Sequence, residues 1–152
     1  MRESSVLIVD DQIGDLLWLL DLIQNRGYGT VIATNEEAAR ERFKAVKAGT
    51  ESYSLAVVDV MVAVKDLASL VALDDQFFED SRNTGIRLCQ LARRELSIPA
   101  EELPIVCLTA REDDEVRKAM RELDIPFFHR AEYSSSDSIR GFVEEKLKRV
   151  SA

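Results

Sequence analysis

The sequence has little of what most metal and nucleophile centres are built from. It holds one histidine, His129, and two cysteines, Cys89 and Cys107, among 152 residues. One histidine excludes an ordinary histidine-based metal cluster, and His129 reads as a solvent-facing strand residue rather than a ligand. The two thiols show no CxxC pairing and no metal-ligand spacing, so a reduced, cytoplasmic protein is expected. Apolar runs never exceed a few residues, far short of a membrane span. Positive charge is outweighed too: 20 Lys and Arg face 28 Asp and Glu, a net charge of −8 that argues against direct nucleic-acid binding. The N-terminus, Met1-Arg2-Glu3-Ser4-Ser5, leads straight into a strand-like run, and no secretory signal is expected ahead of it.

What is present is a soluble globular balance, 46% hydrophobic and 32% charged, in one domain's length (residues 1–152). Short apolar runs alternate with longer amphipathic ones, the pattern of a doubly wound α/β fold with a parallel sheet covered by helices on both faces. Strands are predicted over residues 5–10, 30–33, 55–59, 104–109 and 126–129. Between them, apolar residues recur at helical spacing in five stretches. These are Ile13, Leu16, Leu17, Leu20 and Ile23; Ala38, Ala39, Phe43 and Val46; Ile86, Leu88, Cys89, Leu91 and Ala92; Val116, Ala119, Met120 and Leu123; and Ile139, Phe142, Val143, Leu147 and Val150. Glu112, Asp113, Asp114 and Glu115 suit the fourth helix's N-terminus, and Ser134 to Asp137 offer caps for the fifth. An insertion at about residues 62–83 breaks the rhythm and is too long for an ordinary βα loop. Its acidic run over 73–80 reads as a solvated loop with Phe77 and Phe78 tucked against the body.

In open α/β sheets, ligands bind at the carboxyl ends of the strands. Asp10 and Asp11 end the first strand, Asp59 the third and Thr109 the fourth, while Arg130 follows the fifth. Three converging carboxylates repel one another, and a hard divalent cation with oxygen ligands relieves that repulsion. Mg²⁺ suits such a site, and a carboxylate beside it can attack phosphorus to form an aspartyl phosphate.

At these residues the chain resembles response-regulator receiver domains of two-component signalling. VLIVDDQ (6–12) resembles that family's first strand with its acidic pair, LAVVDVM (55–61) its phosphoacceptor strand, and LPIVCLTA (103–110) its fourth strand. Gly85-Ile86-Arg87-Leu88-Cys89 resembles the start of the family's third helix. The resemblance implies a flavodoxin-like sheet of five parallel strands in the order 2-1-3-4-5. It implies Asp59 as phosphoacceptor and a Mg²⁺ site of Asp10, Asp11, Asp59 and the Met61 backbone carbonyl. Thr109 would contact the phosphoryl group, Arg130 would stand at the family's lysine, and Phe127 would be the aromatic switch. The implied donor is a histidine kinase or histidine phosphotransfer protein. The implied output face is the fourth helix, fifth strand and fifth helix, which would bind a downstream protein or a second copy.

Two departures qualify the resemblance. Arg130-Ala131 replaces Lys-Pro; the guanidinium is bulkier and planar yet well shaped for a phosphoryl group. A cis bond before Ala131 would cost about 2.5–4 kcal/mol, so that peptide is expected to be trans. After Asp59, Ala63 stands where proline is usual, and Gly85 comes 26 residues later. Arg111, two residues past Thr109, is expected at the pocket rim.

Plainer readings stand beside these. Asp10 and Asp11 could cap the first helix, Arg130 could form a surface ion pair, and strand alternation would let only one of Phe127 and Phe128 face inward. Trp18, Leu19 and Leu22 read as a broad buried face, with a docking patch for the phosphodonor as the alternative. The leading function is a phosphoacceptor switch rather than a turnover enzyme, expected without an effector domain in this chain. A degenerate, phosphorylation-independent binding module is the second reading. A Mg²⁺-dependent phosphohydrolase is the third, weakened because Asp59-Val60-Met61 lacks the D-x-D of haloacid-dehalogenase-like phosphatases.

Overall fold

A computed structural model describes residues 4–64, 80–111, 113–129 and 139–148. The sheet comprises β1 (Ser5–Val9), β2 (Gly29–Ala33), β3 (Leu55–Asp59), β4 (Ile105–Thr109) and β5 (Phe127–His129). All neighbouring pairs run parallel, in the order β2-β1-β3-β4-β5. Every residue of β3 and β4 is buried, which explains their unbroken apolar character: central strands covered on both faces need no polar side. The expected topology and all five predicted strands are present, with β3 matched to the residue and the others within one.

The helices are α1 (Leu17–Asn25), α2 (Glu36–Ala48), α3 (Thr84–Gln90), α4 (Asp114–Leu123) and α5 (Ile139–Lys146). Strand alternation sorts the core into two layers. Leu7, Val9, Val58 and Cys107 meet Phe43 of α2, Leu88 of α3 and Met120 of α4 on one face. On the other, Ile8, Val57, Val106 and Leu108 meet Leu19 and Ile23 of α1 and Val143 of α5. Phe127 packs on the first layer and Phe128 on the second, 5.6 Å from Phe142 between ring centroids. The expectation that only one of them faces inward is therefore corrected: both faces of this sheet are covered.

A second correction concerns the first helix. Leu17, placed by spacing in the core stripe, is 61% exposed, whereas Leu19 is fully buried. The cause is a 3-10 turn over Ile13–Leu16. Its three-residue repeat aligns Ile13, Leu16 and Leu19, and so shifts the phase of the α-helix that follows. Leu22 is also buried and Trp18 half-buried against the same layer, as the broad-face reading expects. A π-helical turn over Leu91–Glu95 extends α3, which no local pattern announced.

The helix ends follow local chemistry. Asn35 caps α2 by accepting from the Ala38 N–H at 2.8 Å, and Gly49 closes it with φ +81°. Asp113 caps α4 by accepting from the Val116 N–H at 3.1 Å. The Arg111 guanidinium, foremost, holds the Asp113 carboxyl below its ordinary range, with the Val116 N–H adding to the effect. The expected caps at 134–137 and the Phe77 and Phe78 contacts lie outside the described residues.

Where β3 begins, the Tyr53 hydroxyl donates to Glu51, which also pairs with Arg42 at 2.7 Å. Burial first, and the Glu51 bond second, push the phenol up to about 12. Such a group stabilises the fold fully below the unfolded value of about 10, and the contribution is lost as pH rises through its folded value. In an alkaline ultraviolet titration, Tyr53→Phe should remove the phenol component that ionises near pH 12. A parent titration with every phenol ionising at its ordinary value would contradict this.

Candidate functional site at the carboxyl edge of the sheet

The strand register brings the acidic residues together. Val9 pairs with Val58, so Asp10 stands one step beyond, beside Asp59. Asp59 pairs in turn with Leu108, and Thr109 ends the next strand. Asp10, Asp59 and Thr109 are buried and Asp11 is half-buried. One carboxylate oxygen from each of Asp10, Asp11 and Asp59 falls in a group whose members all lie within 4.8 Å of one another.

Local backbone geometry orients each of them. The Gln12 N–H donates to Asp10 Oδ1 at 2.7 Å, the Met61 N–H to Asp59 Oδ1 at 3.2 Å, and the Ala63 N–H to Asp11 Oδ2 at 3.1 Å. The capping reading of Asp10 and Asp11 is corrected: Gln12 stands at the N-cap of the first helical turn with no side-chain capping bond, and Asp10 instead fastens the backbone at Gln12 while joining the cluster. Ala63 also accepts from the Glu36 N–H at 2.9 Å, tying the segment after β3 to α2. Val62 and Ala63, the first residues of the expected insertion, are buried and belong to the body. Val64 donates to Ser81 Oγ at 3.3 Å, so the described ends of the insertion meet.

The floor is set by Gly85. A Cβ there would lie 2.4 Å from the Asp59 carbonyl oxygen and 2.5 Å from Val60 Cα. Only glycine lets α3 approach the end of β3 this closely. Its N–H donates to the Val60 carbonyl at 2.8 Å.

Thr109 is held by its own loop: its hydroxyl accepts from the Arg111 N–H at 2.8 Å and bonds the Arg111 carbonyl at 3.0 Å. Arg111, expected at the pocket rim, bonds Thr109 through its backbone and turns its side chain away toward the entry of α3 and the start of α4. Its guanidinium reaches Asp113, Glu115, the Arg82 carbonyl and the Asn83 side chain. Arg87 of α3 bonds both carboxylate oxygens of Glu36, at 3.0 and 3.3 Å. Neither arrangement is signalled by local sequence, because the Arg111–Asn83 and Arg87–Glu36 partners are 28 and 51 positions apart. Phe127 and His129 are half-buried on β5, and Arg130 and Ala131 lie outside the described residues.

The two thiols belong to the core. Cys89 and Cys107 are fully buried with their sulfurs 3.6 Å apart. The bond to Cys89, then burial, push the Cys107 thiol well up, which leaves it protonated and inert as a nucleophile. The chemistry at this edge is therefore that of oxygen ligands. Three carboxylates at such spacing fit a hard divalent cation, because each pair repels by roughly 3 kcal/mol at an effective dielectric near 20.

No family model and no curated protein matches the sequence. Solved structures do. A response regulator receiver domain protein from Methanospirillum hungatei superposes with a TM-score of 0.63 at 18% identity, over 96% of this chain and 94% of that one. The chemotaxis response regulator CheY4 of Vibrio cholerae gives 0.62 at 16%, over 96% and 100%. A Burkholderia pseudomallei response regulator, whose structure contains a phosphorylated aspartic acid and a calcium ion, gives 0.57 at 14%, over 94% and 73%. At these identities the likeness is one of architecture, and on that ground this chain has the fold of response-regulator receiver domains.

Proposed function

We propose that the protein accepts a phosphoryl group on Asp59 in a two-component phosphorelay. The observation that carries this reading is the placement of Asp59, buried at the end of a central strand with its carboxylate grouped with those of Asp10 and Asp11. The phosphorylated aspartic acid and calcium ion of the similar Burkholderia protein support it. Mg²⁺ would be held by Asp10, Asp11, Asp59 and the Met61 carbonyl, and when bound it neutralises charge on the transferred group. An Asp59 carboxylate oxygen attacks phosphorus of a phosphohistidine or acyl phosphate. The bond from phosphorus to the leaving group breaks, and the leaving group departs with the electron pair: a histidine nitrogen takes up a proton, whereas the carboxylate of an acyl phosphate leaves as the anion. Asp10 and Asp11 fix the site's charge, the Met61 N–H orients the nucleophile, and Thr109 and Arg130 receive phosphoryl oxygens. Movement of Thr109 and Phe127 then reshapes the face of α4, β5 and α5 for a protein partner.

The donor is a histidine kinase or histidine phosphotransfer protein, and the setting is cytoplasmic. Among the described residues no helix is long and apolar enough to cross a membrane. We assign no turnover chemistry to the site.

Fluorine NMR with beryllium, fluoride and Mg²⁺ tests this reading, since beryllofluoride mimics a phosphoryl group on a carboxylate. Bound fluoride signals that need both Mg²⁺ and Asp59 are expected; their absence from the parent at saturating Mg²⁺ would reject it. Asp10→Asn should weaken Mg²⁺ binding at least about tenfold while leaving the fold intact, checked by calorimetric titration.

The bonds that occupy the Thr109 hydroxyl favour one second reading, a phosphorylation-independent binding module. That reading requires Asp59→Asn to leave partner binding unchanged.

A further inference from the structure

Arg111 makes more polar side-chain contacts than the capping of α4 needs. Its side chain is only 11% exposed, and it bonds Asp113 Oδ2 at 2.7 Å and Glu115 Oε2 at 3.4 Å on its own side. On the other side it bonds the Arg82 carbonyl at 2.8 Å and Asn83 Oδ1 at 2.6 Å, in the segment leading into α3. Asn83 closes the ring by donating to Glu115 Oε1 at 2.8 Å. The Arg111 backbone, meanwhile, holds the Thr109 hydroxyl. One residue thus fastens the end of β4 through its main chain and the entry to α3 through its side chain.

We propose that Arg111 is a positioning residue, a staple that couples the β4–α4 loop to the Arg82–Asn83 entry of α3 and keeps the Thr109 hydroxyl engaged on the loop. The gating half of this proposal rests on Asp59 being the phosphoacceptor; the staple itself does not. A planar guanidinium is suited to the task because its fixed fork serves several acceptors in different directions at once. A hydroxyl held on Arg111 must leave those bonds before it can reach a group on Asp59. The staple therefore biases a two-state loop toward the disengaged arrangement. The segment at 80–83, where the insertion rejoins the body, becomes the second handle on that equilibrium.

The test pairs hydrogen exchange of the metal-free protein with beryllofluoride affinity in Mg²⁺, for the parent, Arg111→Ala, Arg111→Lys and Asn83→Ala. Arg111→Ala should speed exchange both at 80–85 and at 110–113, and Asn83→Ala should do so at 110–113 although it lies outside that loop. Arg111→Lys should resemble Arg111→Ala, because one ammonium cannot serve both sides. Beryllofluoride should bind roughly tenfold more tightly to Arg111→Ala than to the parent, the disengaged state having lost its support. Exchange changes confined to 110–113 in Arg111→Ala, or none there in Asn83→Ala, overturn the coupling. Coupled exchange with unchanged or weaker affinity overturns the gating. If neither the parent nor any variant binds beryllofluoride, the phosphoacceptor reading and the gating fall together, and the exchange data alone decide the staple.

Discussion

Asp59→Asn should melt at a higher temperature than the parent without divalent metal, and at the same time lose phosphoryl acceptance altogether. The two effects have one origin. In the parent, the buried Asp59 carboxylate has like charges from Asp10 and Asp11 within 4.8 Å, and little water screens them. The amide of Asn has the same shape and keeps an oxygen for the Met61 N–H, which now bonds Asp59 Oδ1 at 3.2 Å. Removing the charge without removing the bond should stabilise the apo fold by about 1–3 kcal/mol. That corresponds to roughly 2–12 °C in melting temperature for a domain of this size. Added Mg²⁺ should reverse the order, because the parent gains stability as RT ln(1 + [Mg²⁺]/Kd) and the variant, binding weakly, gains little. Calorimetric melts in chelator and in Mg²⁺ would show the crossover. A variant less stable than the parent in both conditions would mean that the three carboxylates do not strain the apo fold.

The second large effect belongs to Gly85. An alanine methyl there would meet three backbone atoms at 2.9 Å or less, the Asp59 carbonyl oxygen and carbon and Val60 Cα. Backbone cannot rotate away as a side chain can, so α3 must lift from the end of β3, with loss of the 2.8 Å bond from the Gly85 N–H to Val60. Overpacking of a buried contact usually costs about 1–3 kcal/mol, and we expect Gly85→Ala to reach at least the upper end. The displacement also falls on the backbone of Asp59 itself, so Mg²⁺ binding should weaken with stability. Gly14→Ala is the internal control: a methyl there would have nothing within 4 Å, and its effect should stay within about 0.5 kcal/mol. Urea unfolding of both variants checks the contrast; equal stabilities would remove Gly85 from the account.

The fold was legible because a sheet covered on both faces writes long apolar strands, and five of them alternate with helical spacing. What escaped was phase and context. Helical spacing misplaces Leu17 because a 3-10 turn precedes α1, and no residue pattern distinguishes that turn from a first helical turn. Alternation sets Phe127 and Phe128 against each other because it gives direction, not the number of covered faces. In the site, Asp10, Asp11, Asp59 and Thr109 were visible as strand-end residues, since strand ends and motif coincide. The amides of Met61 and Ala63 were not, because a backbone donor carries no sequence signal. The nearness of Arg111 to Thr109 is plain from two-residue spacing, but its link to Asn83 needs a β4–α4 loop and an α3 entry folded together from distant parts of the chain. The pairing of Arg87 with Glu36 is hidden for the same reason.

The most direct test of the central claim is intact-mass spectrometry after incubation with acetyl phosphate, with and without Mg²⁺, followed by peptide mapping. We expect a Mg²⁺-dependent gain of one phosphoryl group, mapped to Asp59 and absent from Asp59→Asn. No gain from acetyl phosphate or from a histidine-kinase donor, or a gain that persists in Asp59→Asn, would contradict the account.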